Sequence, residues 1–273
     1  MDDKEPQNVL TRKFSEQEWQ ALKKFRSILP EIFRTAYDRK AGSDSTPITI
    51  WGVVLDPNDT KNPKASVVLM KWLRARNLNV DEAATKMIAT LRWRDEFRVE
   101  NAIEEEFPAD VYGKLGGTYG QDNEGRPLMQ VHLHHAAVYG DIQRFLRWHV
   151  ALMEKAIERI DFDTVDGMIE INDYEGIDFK TFDRDPNAKA ARDQVKGILE
   201  DHYPEFIAGR FFLNMPRPLS WVFWLCGFLI PAETHAKLKV VRRDANATFK
   251  ALSASISKEQ LPQHYGGDAT DPW

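Results

Sequence analysis

Hydrophobic and polar positions change rhythm near residue 107. Before it the spacing is helical. Trp19, Leu22, Phe25 and Ile28 or Leu29 recur on one face of a predicted helix over 14–29. Pro30 suits the start of a second, short helix over 31–39. A polar break over 40–47 precedes the apolar, β-branched run Ile48–Leu55, which Pro57, Asn58 and Asp59 end. Residues 65–76 and 80–97 read as a helix pair joined by Asn77, Leu78 and Asn79, and Asp81 and Glu82 suit the dipole at the second start. After residue 107 strands alternate with helices. Strands are predicted over 127–134, 165–172, 209–214 and 237–241, and helices over 141–160 and 187–202. This alternation predicts an α/β layer with a mostly parallel sheet. Glu104, Glu105, Glu106 and Pro108 interrupt the pattern between the two rhythms. The expected architecture is therefore a helical N-terminal lobe over 1–105 and an α/β lobe over 106–268.

One run departs from both rhythms. Leu219–Ile230 carries no charge, although 29% of the chain is charged. A bilayer span needs roughly 17–25 apolar residues, so the run is too short for one. Trp221, Phe223, Trp224 and Phe228 fall on more than one helical face. Such a helix is either buried in an ordinary core or covers something greasy.

Composition narrows the function classes. A net charge of −5 over 273 residues argues against nucleic acid as a partner. The single cysteine, Cys226, rules out an intramolecular disulfide and suits a reducing compartment. Met1–Pro6 lacks a signal-peptide pattern and Thr270–Trp273 a lipidation signal, so a cytoplasmic protein that visits membrane surfaces is expected. No phosphate loop, nucleophile elbow or His-Glu-x-x-His pattern occurs, and no enzyme is expected. Gly113–Gly120 reads as a turn-rich loop entering the sheet, and Asp161, Asp163 and Asp166 as a solvated turn. His132 and His134 share one face of a strand, where they suit either a metal or haem, or a structural role.

Several motifs stand in one order. They are Leu73–Ala83 running on to Trp93–Phe97, Gly125-Arg126-Pro127, Tyr203-Pro204-Glu205, Asn214-Met215-Pro216 and Leu261–Gly267. Over roughly 65–267 the chain resembles the CRAL-TRIO, or Sec-fourteen-like, lipid-exchange proteins. The resemblance implies a deep apolar cavity closed by a helical gate at about 220–240, lined by Trp221, Phe223, Trp224 and Phe228. It also implies phosphatidylinositol as ligand, with Arg76, Glu205, Thr234 and Lys237 holding the headgroup. Those residue types suit a phosphoinositol headgroup, since cations neutralise phosphate, a hydroxyl donates to it, and a carboxylate accepts from inositol hydroxyls. Asn77 stands where a basic residue often follows Arg76 in that family.

Ile50-Trp51-Gly52 and Asn172-Asp173-Tyr174-Glu175 resemble a narrower fungal subgroup, the non-classical phosphatidylinositol transfer proteins related to the fifth yeast homologue. That subgroup implies haem b as a second ligand, with Tyr174 as axial ligand to the iron. Arg147 then belongs to the haem pocket, with Asn172 where the haem-binding member has histidine, and His132 and His134 within reach. Phenolate ligation requires loss of a proton whose ordinary pKa is about 10. The resemblance thus implies a carrier of phosphatidylinositol and haem that supports phosphoinositide homeostasis. It would touch membranes transiently and associate peripherally with the endoplasmic reticulum or other membranes. The alternative is a haem protein of redox or stress response with little lipid transfer.

Overall fold

A computed structural model describes residues 7–38, 46–132, 140–177, 184–215 and 238–271. The chain divides into two compact units. The first comprises Met1–Asn101 with Ile160–Asp166 and Lys196–Phe206; the second comprises Ala102–Arg159, Gly167–Val195 and Ile207–Trp273.

The first unit contains α1 (Glu16–Ser27), α2 (Leu29–Tyr37), a hairpin of β1 (Ile48–Ile50) and β2 (Val53–Leu55), α3 (Pro63–Arg74) and α4 (Val80–Phe97). Their starts are locally encoded. Ser15 and Glu18 form a reciprocal capping box at α1, Asn62 caps α3 ahead of Pro63, and Asn79 caps α4. Of the predicted helical face, Leu22, Phe25 and Leu29 are buried and Trp19 is partly exposed; Ile32, Phe33, Leu69 and Leu73 are buried as well.

The apolar run Ile48–Leu55 is two strands rather than one. Trp51 and Gly52 take φ values of 51° and 71°, the left-handed pair that a two-residue hairpin turn demands. Glycine adopts this freely; tryptophan does not. Packing holds Trp51 there. Its ring stacks on Trp72 at 5.0 Å and meets the edge of Phe206 at 4.6 Å. Nearby Lys71 is buried, its ammonium donating to the carbonyls of Asp166 and Glu205.

In chain order there follow α5 (Val99–Glu104), α6 (Ala109–Tyr112), β3 (Gly116–Gln121), β4 (Pro127–His132), α7 (Ile142–Ile157), β5 (Met168–Asp173), α8 (Pro186–His202), β6 (Ile207–Met215), β7 (Leu238–Arg242) and α9 (Ala245–Ser253). The second unit is built on a sheet of order β3-β4-β5-β6-β7. β3 runs antiparallel to β4, and the remaining pairs are parallel. The mostly parallel α/β sheet is therefore the one that the alternation predicts.

Further elements differ from the pattern, among them the short helices α5 and α6, which the periodicity does not predict. Residues 116–120 of the expected loop, with Gln121, form the edge strand β3. A Cβ on Gly116 would lie 2.0 Å from the Gln130 carbonyl oxygen, so glycine is what lets β3 approach β4. Helix α9 has no counterpart in the sequence pattern. Asp244 caps it, and its Leu252 joins Ile256 and Leu261 against Ile169, Ile171, Phe211 and Leu213 on one face of the sheet.

Candidate functional site

The opposite face of the sheet carries an unusual mixture. Side chains alternate along each strand, so residues in register share a face. Met129, Glu170, Arg210 and Leu238 form one row across four strands, and Val131, Asn172, Phe212 and Val240 form the next. Tyr174 continues this face beyond the end of β5, its ring 6.3 Å from that of Phe212. Polar groups thus interrupt an apolar floor.

Burial makes each of those polar groups costly unless paired. The Glu170 side chain is 5% exposed. It accepts from the Arg210 guanidinium and, at 3.0 Å, from the Asn172 amide. His149 of α7 lies in the field of the same pair. It is buried, and neither ring nitrogen has a hydrogen-bond partner among the described residues. Burial lowers its pKa to about 4; Glu170 opposes the shift and Arg210 reinforces it. Burial also pushes the Tyr174 phenol up to about 12, with Glu170 adding to the rise while Arg192 and Arg210 pull it down.

Of the residues expected at a haem site, the structure brings Tyr174 and Asn172 to one face. It does not bring His132 there. His132 is in register with Asp173, which points to the other face, and the alternation of the strand separates it from Asn172 and Tyr174. Its ring lies 3.0 Å from the Gln130 amide nitrogen and 4.0 Å from the Asp173 carboxylate. Arg147 of α7 is ion-paired with Glu105.

The headgroup candidates divide. Arg76 follows α3 and donates to the Ala75 carbonyl at 2.7 Å; the Asp201 pKa is lowered chiefly by the Lys86 hydrogen bond, with the Arg76 charge a minor contributor. Glu205 sits at φ 54°, which turns its carbonyl towards Lys71 at 2.8 Å and leaves its side chain exposed. Thr234, Lys237, His134 and the gate aromatics Trp221, Phe223, Trp224 and Phe228 lie outside the described residues. Periodicity and motifs do not single out His149, Glu170 and Arg210. The available signal is a charge within each of two otherwise apolar strands, Met168–Ile171 and Ile207–Leu213, which calls for a partner across the sheet.

These features define an α/β lobe whose mostly parallel sheet presents a largely apolar face with a few convergent polar groups, the chemistry of a small-molecule site. The family model described as the CRAL/TRIO domain matches residues 112–267, more than half of the 273, and the chain belongs to that family.

Among relatives, the chain is 31% identical to "Phosphatidylinositol transfer protein SFH5" of Cryptococcus neoformans, covering 80% of this chain and 79% of that protein. It is 29% identical to "Phosphatidylinositol transfer protein sfh5" of Botryotinia fuckeliana, over 90% of this chain. The chain spans only 57% of that relative's length. The "Crystal structure of Sfh5" superposes with a TM-score of 0.72 at 21% identity, covering 94% of this chain and 89% of that one, which establishes a shared fold. Among the described residues, no helix is long and apolar enough to cross a membrane.

Proposed function

We propose that the chain is a phosphatidylinositol carrier of the Sfh5 type, working at membrane surfaces from the cytoplasm, including the endoplasmic reticulum. The observation that carries this is the 31% identity over 79% of a protein named for phosphatidylinositol transfer. The apolar sheet face supports it, because acyl chains need a dry surface and a headgroup needs few, well-placed polar contacts. In this mechanism Trp221, Phe223, Trp224 and Phe228 form the gate that meets acyl chains. Arg76 and Lys237 neutralise the phosphate, Thr234 donates to it, and Glu205 accepts from inositol hydroxyls. No catalytic step is required. Transfer of labelled phosphatidylinositol between vesicles tests the assignment. Lys237→Ala should abolish transfer, and unchanged transfer refutes the headgroup site.

Tyr174 favours haem as a second ligand on the same sheet face. The donor set fits: a half-buried phenol beside Phe212, in the field of Arg192 and Arg210, with the imidazole of His149, unpartnered among the described residues, in the field of the same Glu170–Arg210 pair. A phenol held at a pKa of about 12 stays protonated at neutral pH, so its deprotonation requires a further positive charge. Haem iron supplies that charge when bound. Arg210 and Arg192 stabilise the phenolate, and Asn172 orients Glu170 rather than Tyr174. Protein expressed with ample haem should be coloured, and Tyr174→Phe should remove the colour. Colourless wild type refutes haem binding without touching the lipid assignment.

A further inference from the structure

A second polar cluster lies at the carboxyl end of β5, on the face away from Tyr174. Asp173 is fully buried. Its carboxylate accepts from the Tyr265 hydroxyl at 2.6 Å, the Asn214 amide at 2.8 Å and the Glu175 backbone N–H at 2.8 Å. All three donors are neutral. Among the described residues no lysine or arginine pairs with it, and His132 and His264 stand 4.0 Å from Oδ2. Among the described residues, therefore, this buried carboxylate has no permanent counter-charge.

Glu175 adds a second carboxylate, 2.9 Å from His264 Nε2. One ligand atom from each of Asp173, Glu175 and His264 falls within 4.8 Å of the others. Ligands at about 2.1 Å from a metal, at octahedral or tetrahedral angles, stand about 3.0–3.4 Å apart. The Glu175–His264 separation already approximates one such edge. The Asp173–His264 separation needs to close by less than about 1 Å and the Asp173–Glu175 separation, within 4.8 Å, by at most about 1.8 Å, movements that the partly exposed Glu175 and His264 side chains can make together. Glu175 and His264 also line a cavity of about 470 Å³ that reaches the start of α9. The cavity gives an ion a path from solvent and leaves room for water in the remaining coordination positions. Arg243 lines the same cavity and moderates affinity for a cation.

We propose that Asp173, Glu175 and His264 form a binding site for a divalent transition-metal ion of the Zn2+ class. One imidazole nitrogen with two carboxylates suits Zn2+ or Co2+ and disfavours Mg2+ and Ca2+, which prefer all-oxygen sets. The ion would supply the counter-charge of Asp173 and tie the end of β5 to the short helix Gln263–Tyr265. It is distinct from haem iron, because consecutive residues of an extended strand point to opposite faces.

The test is a cobalt titration of untagged, chelator-treated protein, read by visible absorption. Wild type should show a saturable Co2+ spectrum that Zn2+ displaces and excess Mg2+ does not. His264→Ala and Glu175→Gln should each weaken Co2+ binding by at least the ~10-fold that loss of an outer-sphere partner costs elsewhere. Zn2+ should raise the melting temperature of wild type and not of His264→Ala. Circular dichroism checks that each variant folds, and Glu175→Gln decides the matter if His264→Ala does not. A wild type without a saturable Co2+ spectrum, or one that survives both substitutions, overturns the site.

Discussion

His149 offers a test of the polar groups on the apolar sheet face that does not depend on any ligand. Its folded-state pKa of about 4 lies below the ordinary 6.5 because burial, reinforced by Arg210, outweighs the pull of Glu170. Below pH 6.5 the unfolded chain takes up a proton that the native state refuses. Stability present above pH 6.5 is therefore lost as the pH falls towards 4. At 1.36 kcal/mol per unit, the loss from this residue is about 2 kcal/mol at pH 5 and about 3 kcal/mol by pH 4. His202 loses stability in the same window, since burial also lowers its pKa to about 4. His149→Leu removes the first contribution and leaves the second. Urea denaturation of ligand-free wild type and variant at pH 7.5, 6 and 5 isolates it as the difference between two pH slopes. His149→Leu should also be the more stable protein at pH 7.5, because an unpartnered buried polar group costs about 1–3 kcal/mol. Parallel pH slopes for the two proteins would refute the placement of a neutral, unpartnered imidazole at this face.

Three further outcomes follow from the same physics. Arg210→Met should cost about 3 kcal/mol by leaving Glu170 buried and unpaired, and Glu170→Met combined with it should recover most of that in a double-mutant cycle. Trp51→Ala should cost about 3–5 kcal/mol in thermal or urea unfolding, since it empties the space against Trp72 and Phe206. Gly116→Ala should detach or distort β3, read as faster amide exchange at Thr118 and Tyr119, because its Cβ would collide with the Gln130 carbonyl.

Legibility in the sequence follows the range of the interactions. The 80–97 helix is α4 over the same residues, because its periodicity and its Asn79 cap are contiguous in the chain. Strand order, by contrast, is not written locally, but alternation of strands and helices is enough for a mostly parallel sheet. The hairpin inside Ile48–Leu55 is hidden because tryptophan is a poor signal for a left-handed turn, and only stacking on Trp72 and Phe206 makes it tenable. Strand β3 is hidden because glycine suggests a turn until a second backbone arrives against it.

The sequence by itself determined the periodic elements, the α/β class, the motif order that marks the family, and Tyr174 as a residue of interest. Those depend on local spacing and on residue identity. Only the tertiary structure decided which polar groups meet. Register across β4, β5 and β6 sets Glu170 beside Arg210 and aligns Asn172 with Phe212, while the same alternation sends His132 and Asp173 to the other face. A shift of one residue in any strand would exchange those faces, because side chains on a strand repeat every two residues. That register is set by pairing between segments some forty residues apart, as with Glu170 and Arg210, and no local pattern contains it.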